Sequence, residues 1–149
     1  MANTVKWTTP SSRTTGISSA TINAGENYLG SEIDNATNLD RYLDLYFTFS
    51  FASAPTANTV CEVYLLFEQA DDVYESGSGD GDGTPAAVDP MKVPVGFVTT
   101  KAQTGAQYAM LVSIPIPPRA FKILIKSEFN QNTSMTVLAY TYNEQIVVT

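Results

Sequence analysis

Residues 42–52, YLDLYFTFSFA, alternate large apolar and polar positions without a break. Leu43, Leu45, Phe47, Phe49 and Phe51 take every second place, with Tyr42, Asp44, Tyr46, Thr48 and Ser50 between them. A period of two sends successive side chains to opposite faces of a β-strand, whereas a helix would scatter the same residues around its axis. The pattern predicts a central strand whose aliphatic and aromatic face needs a second apolar layer to cover it. Residues 60–68, VCEVYLLFE, repeat the period, with Cys61, Val63, Leu65 and Phe67 facing one way and Glu62, Tyr64, Leu66 and Glu68 the other. The short polar connection between the two strands makes them candidates for an antiparallel pair.

Weaker runs complete the set. Residues 16–22 are Ser/Thr-rich and weakly β, and residues 93–99 form a strand that Pro94 confines to an edge or a bulge. Residues 107–114 form another strand. In residues 120–126, Phe121, Ile123 and Ile125 face the core while Lys122, Leu124 and Lys126 face out. In residues 135–142, Met135, Val137 and Ala139 alternate with Thr136, Leu138, Tyr140 and Tyr142, and the tail NEQIVVT is apolar enough to pair with a neighbour. No helical period of useful length runs anywhere. Short strands punctuated by Gly, Pro and Asn predict an all-β fold, an antiparallel jelly-roll-like β-sandwich of about eight strands. Residues 16–149 read as one domain. Residues 1–15 read as a short edge strand or as an arm anchored on a neighbouring molecule by Trp7.

Composition narrows the chemistry. There are 149 residues with a net charge of −7, and the polar positions are filled mostly by Thr, Ser and Asn. Eight cations spread thinly are a poor match to nucleic acid, which demands clustered charge. No apolar run is long enough to span a bilayer, and MANTVKWTTP lacks the core of a signal peptide. Histidine is absent, which removes Ser-His-Asp and Cys-His catalysis, and the single cysteine, Cys61, falls on an apolar strand face.

Candidate sites are therefore few. The Gly- and Asp-rich segment 69–90 offers Asp71, Asp72, Glu75, Asp80, Asp82 and Asp89 as oxygen ligands. Its resemblance to a calcium loop fails after two positions, so a solvated loop is expected, with weak calcium binding the alternative, and no metal or other cofactor is called for. Asp44 and Glu62 are carboxylates on outward faces and would catalyse glycoside hydrolysis only if brought together. No catalytic residues are expected. The stronger candidates are the outward aromatics Tyr42, Tyr46, Tyr64, Tyr140 and Tyr142, which either cover a second core layer or build a protein interface. Trp7 and Arg119 join them, Arg119 pairing with an acidic neighbour or serving a contact.

Three stretches together resemble a family: GENYLGSEIDNATNLDRYLDLYFTF, CEVYLLFEQADDVYESGSG and IPIPPRAFKILIKSEFNQNTSMTVLAYTYNEQI. Their order and spacing over residues 16–146 are similar to those of small decoration, or cement, proteins of tailed-bacteriophage capsids. The resemblance implies a jelly-roll-like virion protein, made in the host cytoplasm, that seats as a homotrimer on the outside of the shell where copies of the major capsid protein meet. It implies no catalytic residue, no nucleic-acid partner and no membrane. The alternatives are a receptor- or carbohydrate-binding module of a tail or fibre, or another head or tail subunit.

Overall fold

The computed structural model describes residues 3–8, 14–71, 73–75, 90 and 92–148. These residues hold eleven strands: β1 (Asn3–Trp7), β2 (Thr14–Ile22), β3 (Asn27–Leu29), β4 (Tyr42–Phe51), β5 (Val60–Ala70), β6 (Val73–Tyr74), β7 (Gly96–Thr99), β8 (Gln107–Pro115), β9 (Phe121–Ser127), β10 (Thr133–Tyr142) and β11 (Glu144–Val148). One sheet has the order β2-β10-β4-β8; the other runs β3-β9-β5, with β6 and β7 pairing different stretches of β5. Every pairing is antiparallel. From β2 to β5, and again from β7 to β10, each strand lies in the opposite sheet to the one before it. That alternation over eight strands is the jelly roll.

β4 and β5 consequently do not pair with each other, contrary to the expectation from their short connection. β4 lies between β10 and β8, and β5 lies beside β9 in the facing sheet. Each of the two strands has one strongly apolar face, and placing them in opposite layers lets those faces cover each other. The connection turns at Asn58, which has a left-handed φ of 65°.

The inward residues of both sheets make one core. Leu43, Leu45, Phe47 and Phe49 of β4 pack with Met135 and Val137 of β10 against Cys61, Val63 and Leu65 of β5 and Ile123 and Ile125 of β9. Phe129 closes one end, its ring centroid 6.0 Å from Phe49 and 5.4 Å from Phe51. At the opposite edge the two layers almost touch. The Ser31 amide donates to the Gly16 carbonyl at 2.9 Å, and a Cβ at Gly30 would stand 2.4 Å from that same oxygen.

A second, smaller core lies on the outer face of the second sheet. Leu29, Tyr64, Leu66, Tyr74 and Leu124 form it, beneath the β5–β6 hairpin. Leu124 and Lys122 therefore do not face solvent as their alternation suggested. Lys122 is 2% exposed, with its Nζ 4.9 Å above the centre of the Tyr74 ring, so the aromatic face accompanies the buried cation.

β7 begins two residues after Pro94 and is an edge strand, as Pro94 required. β1 is paired along its whole length with β11. Residues 3–7 are thus a strand on the chain's own C-terminal segment, a partner for the tail that its apolar character alone did not name.

Candidate docking face

β10 occupies the middle of the first sheet, and its register against β4 decides which outward side chains meet. Tyr142 lies opposite Tyr42, Tyr140 opposite Asp44, and Leu138 opposite Tyr46. On the other side of β4, Met110 lies opposite Tyr46 and Tyr108 opposite Thr48. Aromatic residues thus gather on the outer surface of this sheet in two groups.

The first group is a triad. Tyr42 and Tyr142 stack with centroids 5.6 Å apart, and Trp7 meets both edge-on at 5.4 and 5.6 Å. These are favoured arrangements for ring quadrupoles. Trp7 is brought there by β1, so its anchor is within its own chain, although 59% of it stays exposed. The Tyr142 hydroxyl donates to Asp44 Oδ1 at 3.0 Å and lies 3.2 Å from Ser113 Oγ, while the Ser113 amide donates to the same Asp44 oxygen at 2.8 Å. Burial pushes the Tyr142 phenol above its ordinary pKa of 10.0; the Ser113 hydrogen bond opposes this and the Asp44 carboxylate adds to it. Ser113, at φ 56°, sits in a bulge of β8 opposite Asp44, so this carboxylate fixes an irregular strand.

The second group is Tyr46 and Tyr140, edge-on at 5.1 Å. With Thr48, Tyr108, Met110 and Leu138 they line a shallow depression of about 360 Å³. Around it the sheet presents hydroxyl and apolar side chains. Asp44 is the one charged residue on β2, β4, β8 and β10.

Five of the seven residues singled out in the sequence, Trp7, Tyr42, Tyr46, Tyr140 and Tyr142, therefore share a face. Tyr64 does not join them: it is 5% exposed, lies in the second core on the opposite sheet, and donates its hydroxyl to Glu62. It covers a core layer, one of the two roles open to the outward tyrosines. Arg119 is exposed on the β8–β9 loop, in a depression with Glu68, Gln69, Ala70 and Asp71. Lys92 pairs with Glu75, and Arg119 makes no ion pair with another described residue.

Tyr108, Met110 and Val112 were missed. All three are more than half exposed. The signal was present, since residues 107–111 alternate with the bulkier Tyr108 and Met110 set against Gln107 and Ala109, and the apolar set points outward.

The remaining candidates separate. Asp44 and Glu62 lie on the outer faces of opposite sheets with the core between them, too far apart to act on one bond. Cys61 is fully buried, and desolvation, with the Glu62 charge behind it, pushes its thiol up to about 12. Among the described residues no three acidic or cysteine side chains converge on a common point. Asp72, Asp80, Asp82 and Asp89 of the expected calcium-like loop lie outside the described residues. Comparison of the chain with protein-family models and with characterised proteins gave no match, and the aromatic face is interpreted from its own chemistry.

Proposed function

We propose that this chain is a structural component of a virion, a decoration protein that cements the outside of a tailed-phage capsid. It would dock on major capsid protein subunits through the outer face of the β2-β10-β4-β8 sheet. The observation that carries the reading is that face: two aromatic groups on a rigid sheet, surrounded by Ser, Thr and Leu and nearly free of charge. Protein interfaces concentrate Tyr and Trp and deplete charge at their centres. The jelly roll also suits the role, because one continuous core holds both sheets behind the docking face. Several copies bound side by side would stabilise the shell by mass action, since they engage the assembled form in preference to free subunits.

The test is co-sedimentation of purified protein with shells that lack it. Binding is expected, and the double substitution Tyr46→Ser with Tyr140→Ser is expected to weaken it by about tenfold or more, the loss of an interface anchor. A folded protein that ignores shells ends the reading.

A second reading is favoured by the depression between Tyr46, Tyr108 and Tyr140, whose rings could stack on a sugar. It belongs to a receptor- or carbohydrate-binding module. Glycan-array binding abolished by Tyr46→Ser, with no binding to shells, would select it.

A further inference from the structure

We infer that the side of the sandwich formed by β7 and β8 is the surface through which copies of this chain associate. Tyr108 and Met110 also line the depression of the aromatic face, so the two surfaces adjoin, and the association is read without any shell or sugar present. Nine large apolar side chains are prominently exposed among the described residues. Five of them, Val93, Phe97, Tyr108, Met110 and Val112, belong to β7, to β8 or to the segment just before β7.

These two strands are the edges of opposite sheets and lie side by side. Leu111 of β8 packs so closely on β7 that a Cβ at Gly96 would stand 2.6 Å from its Cδ1. Among the described residues no strand pairs with the outer edge of either. An unpaired edge invites another strand, and proteins guard such edges with Lys, Pro, inward charges or extreme shortness. β8 is nine residues long, has no charged residue, and has its proline at the last position. Its one protective device is the bulge at Ser113. The other outer edges differ: β2 is mostly small hydroxyl residues and β3 has only three.

Two observations make the occupant a second copy. The row is self-complementary, because Tyr108 and Val112 flank Met110, and an identical row run the opposite way sets each Tyr beside a Val, a favourable cross-strand pair. Charge points the same way. A chain of net charge −7 repels itself over most of its surface, and β7 and β8 present no charge. A row paired antiparallel with its own copy is an isologous contact, so two copies about a two-fold axis bury it.

The experiment is mass measurement in solution over a dilution series, for the full chain and for Met110→Glu, Phe97→Ser and a control substitution on the opposite edge, Thr21→Lys. Circular dichroism checks that each variant is folded. The expected result is an oligomer that Thr21→Lys leaves unchanged and that Met110→Glu weakens by about tenfold or more, since each copy brings a repelling charge to the contact. Hydrogen exchange of the β8 amides should slow as concentration rises. A folded chain that stays monomeric at every concentration overturns the inference, and so does an oligomer indifferent to both Met110→Glu and Phe97→Ser.

Discussion

Cys61 shows how much one buried atom contributes. Its thiol titrates near 12 in the folded protein against an ordinary 9.0, because burial penalises the thiolate. The folded chain therefore holds this proton when the unfolded chain has released it. Stability is full below about pH 9, where both states hold the proton, and falls as pH climbs toward 12 and the unfolded chain alone releases it, by about 4 kcal/mol over the window. Urea unfolding at a series of alkaline pH values should show this slope, and Cys61→Ala should flatten it. Gly30 makes a steric prediction: alanine there would drive a methyl to 2.4 Å from the Gly16 carbonyl oxygen and 2.9 Å from Ile17 Cγ1. A loss of about 1–3 kcal/mol is expected, read as a lower urea midpoint. Asn35 was not legible beforehand. It sits in a stretch rich in turn formers, yet it is fully buried, donating to the Asp40 and Pro117 carbonyls at 2.9 Å each and accepting from the Asp40 amide at 3.0 Å. Nothing local distinguishes an asparagine that shapes its own turn from one that ties two loops together. Asn35→Ala should cost about 1–3 kcal/mol, because it orphans those buried groups.

Among the elements, β4 was readable from its period alone, since its apolar face meets a single core. β5 and β9 were readable only in part. Their second faces carry Leu66 and Leu124, and whether such a face meets solvent depends on a distant hairpin that periodicity does not reveal. The β1–β11 pair is the element most open to local loss, because it forms a sheet apart from both main ones; its described contacts with the body include Trp7 on Tyr42 and Tyr142 and a hydrogen bond from the Tyr42 hydroxyl to Glu144. Trp7 is the chain's one tryptophan and reports on this contact without labelling. In a urea titration its fluorescence should change at a lower concentration than the far-ultraviolet signal of the sheets, as expected for a unit of low local stability. Coincident transitions would show β1 to be part of the global unit.

At the scale of the molecule, the all-β class, the two layers and the inward residues of β4, β5, β9 and β10 were legible, because burial imposes a period on every strand. Pairing was not legible. A strand's period says which face is inward but not which sheet it joins, and the jelly roll separates strands that a hairpin would unite. The near absence of charge on the aromatic face leads to a prediction about salt. Shell binding should change little between about 0.05 and 0.5 M salt, whereas a contact carried by ion pairs would weaken steeply. Sedimentation at the two concentrations measures it.

The interleaving of the strands also dictates when this protein can exist during its own synthesis. β2 and β4 flank β10, and β3 and β5 flank β9, so the middle of each sheet is the part the ribosome makes late. A nascent chain that has emerged only as far as Arg119 can pair β4 with β8 and β5 with β7, but it lacks the strands that join β4 to β2 and β5 to β3. One side of β4 and one side of β5 stay open until residues 121–142 emerge, and over that interval a holding chaperone or a slowed ribosome would do most to decide the yield.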